Sequence, residues 1–296
     1  MIRAIILALA GLLALGGCDV DRGDEVRVET SPGVAPLIYE VADSRGEVRG
    51  WLLGTIHALP DGTRWRTRPI AQAIATADHL LVEIADIDRP ESIAVTFGEL
   101  ATTPGMGPLA ARIDPSLRPA LAEMIARSGI DPARFDSTET WAAALMLARV
   151  DASGDPANGV DRALVEEFGP QHVAGFEVSP IQLGIFDRLA ERDQRDLLEL
   201  TIAQWLAGRG KPDRLQQAWL AGDEAALSAA MDEGILSDPQ LRAALLVDRN
   251  AGWMPTLLAA LESPRRPLVA VGTAHLLGPD GLVALLEQRG YTVRRL

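Results

Sequence analysis

Two short apolar-rich runs stand near the start of the chain, Pro36-Leu37-Ile38-Tyr39-Glu40-Val41 and Val48-Arg49-Gly50-Trp51-Leu52-Leu53. They read as the strands of a hairpin, with Ser44-Arg45-Gly46 turning between them. Pro69 to Ala77 reads as a short helix, and Asp78-His79-Leu80-Leu81-Val82-Glu83-Ile84 as a buried strand ending in acid. From Ser92 to Val150 apolar residues recur at helical spacing, broken at Pro104-Gly105, Asp114-Pro115 and Asp131-Pro132. Those Asp-Pro pairs read as helix starts, with Asp as cap and Pro at the first position. Gly159-Val160-Asp161 opens a helix through Phe168, with Asp161 most simply its cap, and Gln171 to Glu177 is a strand. Ile181 to Leu261 is mostly helical, with breaks at Gly210, Gly222 and Asp238-Pro239. Pro267-Leu268-Val269-Ala270-Val271 is an apolar strand, Gly278 to Arg289 a helix and Tyr291-Thr292-Val293 a last strand. Strands gather at both ends and helices in the middle. The pattern predicts an α/β (α+β) fold, with a central mixed sheet formed by the N- and C-terminal parts of residues 36–296. A mainly helical lobe, over about residues 92–150 and 181–262, is inserted into it.

Before the first strand the pattern changes. Met1-Ile2-Arg3 is followed by an apolar run from Ala4 to Leu15 and then Gly16-Gly17-Cys18. The run is short of the about 20 apolar residues that span a bilayer, and it carries the marks of an export signal. Leu15-Gly16-Gly17-Cys18 resembles the bacterial lipobox, which implies a signal peptide at residues 1–17 and acylation of Cys18, the single cysteine. Residues 18–35, rich in charge, Gly, Ser and Pro, read as a flexible tether. The expected location is the cell envelope, lipid-anchored to a membrane, with the following domain outside the cytoplasm. Asp19 favours the inner membrane. About 260 residues remain, enough for one large domain or a domain with an inserted lobe. The net charge of −13 becomes one unit more negative when Arg3 is removed. That acidity argues against nucleic acid and against adhesion to anionic lipid, since both are anions. Membrane contact is expected through the lipid anchor only.

Two distant segments repeat one another. Trp51-Leu52-Leu53-Gly54-Thr55-Ile56-His57 leads to Pro60-Asp61-Gly62, and Val269-Ala270-Val271-Gly272-Thr273-Ala274-His275 leads to Pro279-Asp280-Gly281. Each is an apolar strand, a Gly-Thr-x-His turn, a short apolar step and Pro-Asp-Gly. The chain has four histidines, and two of them close this turn. Gly54 and Gly272 would let the backbone turn sharply and approach a ligand. Strand ends are where open α/β sheets place their sites, and imidazole serves there as metal ligand or proton carrier. His79 and His172 lie outside the repeat and read as structural.

These residues, in this order, resemble the TraB/GumN family, related to the Tiki metalloproteases and to erythromycin-esterase and ChaN-like proteins. The resemblance runs from Leu53-Gly54-Thr55-Ile56-His57 through Leu80-Leu81-Val82-Glu83, Gly159-Val160-Asp161 and Gly175-Phe176-Glu177 with Gln182. It continues through Arg249-Asn250 with Trp253, then Val271-Gly272-Thr273-Ala274-His275-Leu276 and Gly290-Tyr291-Thr292-Val293. Phe176 departs from the Leu that is common in the family. Glu83, an acid at the end of an apolar strand, reads as a metal ligand or general base. Glu177 resembles the family's second acid.

His57, His275, Glu83 and Glu177 would form a mixed nitrogen and oxygen site suited to Zn, Mn, Co or Fe, and the Tiki resemblance favours Mn or Co. Arg249 and Asn250 would stabilise a developing oxyanion or bind a substrate carboxylate. Trp253 reads as core or pocket wall. His-Glu-x-x-His and Gly-x-Ser-x-Gly signatures are absent from the sequence. The expectation is a metal-dependent hydrolase, peptidase-like, acting on a peptide or small-molecule substrate. The alternative is a binding lipoprotein that captures a peptide or haem without turnover.

Overall fold

The computed structural model describes residues 35–209 and 213–296. The expected signal peptide, Cys18, Asp19 and nearly all of the tether lie outside the described residues, as does the break expected at Gly210. Six strands form one mixed sheet: β1 (Ile38–Ala42), β2 (Val48–Thr55), β3 (His79–Ile84), β4 (Val173–Glu177), β5 (Pro267–Gly272) and β6 (Thr292–Arg295). Their order across the sheet is β4-β3-β5-β2-β1-β6. The first four in that order are parallel, whereas β1 runs antiparallel to both β2 and β6. The sequence explains the arrangement. Leu268-Val269-Ala270-Val271 is apolar at every position and buried on both faces, as an interior parallel strand requires. β6 carries Arg294 and Arg295 and closes an edge, where charge discourages further pairing.

Twelve α-helices lie among the described residues. They are α1 (Arg68–Thr76), α2 (Pro90–Leu100), α3 (Arg118–Ser128), α4 (Thr140–Leu147), α5 (Val160–Phe168) and α6 (Ser179–Asp187). Then come α7 (Glu191–Ala207), α8 (Arg214–Leu220), α9 (Glu224–Asp232), α10 (Pro239–Arg242), α11 (Asp248–Glu262) and α12 (Leu282–Glu287). The Asp114-Pro115 and Asp131-Pro132 pairs do cap, since each Asp accepts the amide two residues on. They start 3-10 turns, however, not α-helices. The last helix is shorter than the expected Gly278–Arg289, because Gly278 has a positive φ of 75° and turns the chain first. The inserted helices and the sheet share one apolar core. At its centre Trp141 of α4 meets Phe97 of α2 edge-on at 5.5 Å and stacks on Phe186 of α6 at 6.1 Å. No described helix is long and apolar enough to cross a membrane.

The pairing of β2 with β5, Thr55 opposite Gly272, puts the two repeated turns side by side. Thr273 Oγ1 of the second turn donates to Thr55 O of the first at 2.9 Å. Helix α8 grips the first turn from behind. Trp219 Nε1 donates to Gly54 O at 2.9 Å, and Gln216 Nε2 to Ala58 O at 3.3 Å. Neither Gly54 nor Gly272 has a positive φ, so the sharp turn expected of them is not what requires glycine. Space is the requirement at Gly54, where a Cβ would stand 2.8 Å from Thr273 Oγ1.

Gly54→Ala should therefore cost about 1–3 kcal/mol through overpacking. Gly252→Ala, in helix α11 with nothing within 4 Å of the new carbon, should be neutral or gain up to about 1 kcal/mol. Urea denaturation of both variants checks the contrast, and equal midpoints would contradict the close approach of the two turns.

Candidate functional site

Each of the four parallel strands delivers one residue at its C-terminal end. β2 runs into His57, β3 carries Glu83, β4 ends in Glu177 and β5 runs into His275. Helix α11 adds Arg249 and Asn250 from its first turn, and all six side chains gather in one place. They are almost wholly buried, with His57 the most exposed at 11 %.

Arg249 is the centre of the cluster. Its Nε donates to Glu177 Oε1 at 2.9 Å, and Nη2 to Glu177 Oε2 at 2.9 Å and to Glu83 Oε1 at 2.6 Å. Nη1 donates to Leu245 O at 3.3 Å and faces His275 Nε2 at 3.3 Å. Leu245 belongs to a π-helical turn, Ala243–Val247, directly before α11. The guanidinium also lies 4.8 Å from the centre of the Trp253 ring. All five N–H groups are thus engaged within the protein. The expectation that Arg249 reaches a substrate oxyanion or carboxylate is not met in this arrangement, since no donor is left for either.

Glu177 is likewise filled, accepting from Trp253 Nε1 at 2.8 Å as well as from Arg249. Glu83 is more open. Gln182 Nε2 joins Arg249 on Oε1, at 2.6 Å, while Oε2 takes only a long 3.3 Å bond from the Gly272 amide and stands 3.8 Å from His275 Nε2. Burial alone would raise the pKa of Glu83. Arg249, aided by the two histidines, outweighs it and holds the carboxyl well below its usual range.

The two imidazoles are each held from behind. Asn250 Nδ2 donates to His275 O at 3.2 Å and to Asp280 O at 2.7 Å, which turns its Oδ1 toward His275 Nδ1 at 2.6 Å. Nδ1 therefore carries the proton and Nε2 presents its lone pair to the site. Burial pushes the pKa of His275 down to about 3, so the ring is neutral. Asn250 has no donor left for a transition state either. Behind His57 stands Asp161 in the first turn of α5, its Oδ2 2.6 Å from Nδ1 but off the line of an ideal N–H bond. Thr55 Oγ1 donates to Asp161 Oδ1 at 2.6 Å. Burial opposes charge on His57, but Asp161 more than compensates and the pKa lies above the ordinary histidine value.

The structure thus gives Asp161 a place that the reading as a cap did not. Gly159 is the cap, and Asp161 is buried against His57. Gln182 and Trp253, the latter expected only as core or pocket wall, bond Glu83 and Glu177 respectively. The sequence carries no signal that separates the role of Asp161 from a cap, since it does not show that Asp161 is buried against His57. His79 and His172 stay away from the cluster.

An ion of the kind implied by the resemblance can be weighed against these residues. A Cβ on Gly272 would lie 3.4 Å from Glu83 Oε2, 3.5 Å from His57 Nε2 and 3.7 Å from His275 Cδ2, so the three side chains face one small space. Imidazoles whose far nitrogen is held by a carboxylate or amide oxygen are typical of ligating histidines. Against this, no three His, Cys, Asp or Glu side chains form a metal-holding group among the described residues. Arg249 Nη1 stands against His275 Nε2. The donors fit a divalent ion in kind, and a guanidinium stands among them.

The fold and site define a mixed α/β protein whose parallel strands end together on a His, His, Glu, Glu and Arg cluster. The model that describes the TraB/PrgY/gumN family matches residues 37–295, and the chain belongs to that family. No curated protein and no solved structure matches it.

The depressed pKa of Glu83 has a consequence for stability. A carboxyl whose folded value lies below its unfolded value, 4.5, stabilises the fold above that pH, and the contribution is lost as pH falls below it. Between pH 6 and 3 the wild type should lose more stability than Glu83→Gln does, measured by urea denaturation at each pH. Equal slopes for the two proteins would count against this carboxylate as a source of acid lability.

Proposed function

We propose that this cluster is the active site of a hydrolase that uses a divalent metal ion, acts outside the cytoplasm and cleaves peptide bonds. The observation that carries the reading is the convergence of His57 Nε2, Glu83 Oε2 and His275 on the space beside Gly272, each held from behind by a second group. His57, His275 and Glu83 would hold the ion. Glu177 is assigned to holding Arg249, since both its oxygens are engaged there. An ion in this place would polarise a carbonyl and bring the pKa of a bound water toward neutrality. The chain's own residues then have tasks of holding and charge. Asn250 fixes His275 as the tautomer with a free Nε2. Asp161 and Thr55 orient His57. Arg249 and Gln182 bind Oε1 of Glu83 and keep it ionised, leaving Oε2 turned to the imidazoles. Mn, Co, Zn and Fe all suit two nitrogens and a carboxylate oxygen.

The test is metal content and peptide cleavage by the full-length chain after incubation with Mn, Co, Zn or Fe. The wild type should hold stoichiometric metal and cleave members of a peptide library. His57→Ala with His275→Ala should lose both, and Asp161→Asn should bind metal about 10–100-fold more weakly. Cleavage that survives the double substitution would sink the assignment. Peptide or haem retained by the wild type without product would favour capture over turnover.

A further inference from the structure

Arg249 meets one of the three donor atoms that the proposed ion needs, His275 Nε2, and binds the other oxygen of Glu83. Its Nη2 lies 2.6 Å from Glu83 Oε1 and its Nη1 3.3 Å from His275 Nε2. The contact with His275 is directional, because Asn250 has turned the ring so that Nε2 offers a lone pair. A lone pair that accepts an N–H bond is not free to bind a metal. The guanidinium is also held elsewhere, through two bonds to Glu177 and its stacking on Trp253. Trp253 in turn bonds Glu177 and packs between Phe176 at 4.9 Å and His275 at 4.4 Å. The clamp therefore keeps its charge in place whether or not Nη1 touches His275.

We propose that Arg249 is the resident cation of this site and competes with the divalent ion for the lone pair of His275, so that the Arg249–Glu177 pair sets metal affinity. The inference rests on the metal reading of the site and goes beyond it, since it assigns the strength of binding to residues that are not ligands. Binding of the ion requires Nη1 to leave His275 while Nε and Nη2 remain on Glu177. Glu177 then acts as the holder that decides how far the guanidinium can withdraw.

The experiment is titration of the full-length, metal-stripped chain with Mn2+ or Zn2+ alone, read by equilibrium dialysis and elemental analysis. Arg249→Gln leaves two buried carboxylates without their cation and can fail to fold, so the deciding variant is Glu177→Gln with Arg249→Gln. That double substitution removes one charge of each sign, keeps the net charge of the wild type and leaves Glu83 in place. It should bind the ion at least about tenfold more tightly, a change near 1.4 kcal/mol. Adding His275→Ala should abolish the gain. Equal or weaker binding by the double variant overturns the proposal. If wild-type binding is at the same time lost in His57→Ala, the metal reading survives that result. No binding of either ion by any variant overturns both.

Discussion

The buried ion cluster of Arg249 with Glu83 and Glu177 is the interaction on which the rest of the site depends. Two carboxylates at strand ends, each less than a tenth exposed, would be expensive to bury alone. A single guanidinium whose planar fork meets both of them makes their burial possible, and bidentate pairing is the strongest form such a contact takes. Because all five N–H groups are occupied, the position of Arg249 is fixed from several directions at once. So are the positions of the two acids. A buried ion cluster is weak evidence for stability, since apolar residues of the same volume often serve better. Its presence here is explained by what it does to Glu83, which it fixes in place and keeps ionised beside two histidines.

The histidines are positioned by a different device. The two Gly-Thr-x-His turns lie on adjacent parallel strands and are tied by the bond from Thr273 to Thr55 O. They are not equivalent in detail. His57 has a carboxylate behind it, from α5, and His275 an amide, from α11. One ring is therefore biased toward carrying a proton and the other is held neutral with its lone pair inward. The inserted helices supply Asn250, as well as Trp219 and Gln216 behind the first turn, and α5 between the two inserted segments supplies Asp161. The helical segments are thus part of the site's support.

Much of this was legible in the sequence. The strands were readable because buried parallel strands are continuous apolar runs, and Glu83 and Glu177 stood out as acids closing such runs. The repeated turn was readable because histidine is rare in this chain. What could not be read was the bonding among these residues. Asp161 satisfied the pattern of a helix cap, and only its burial against His57 separates the two roles. Arg249 looked like a donor aimed at substrate, because a sequence does not show that five N–H groups already have partners. The glycines were expected for their conformational freedom. Gly54 is required instead by the approach of Thr273, which bonds Thr55 O across 218 positions of the chain.

Strand order and bonding together support the division of labour proposed for the two acids. In the order β4-β3-β5-β2, the acid-bearing strands lie together on one side and the histidine-bearing strands on the other. Adjacent strands are about 4.8 Å apart, so Glu83 on β3 is one strand from β5 and within reach of His275. Glu177 on β4 is a strand further from His275, and its oxygens are already engaged by Arg249 and Trp253. It meets the site only through a long side chain that bridges the gap, and α11 places Arg249 to do so. On the proposed reading the residue nearest the histidines would hold the ion, and the residue beyond it holds the arginine.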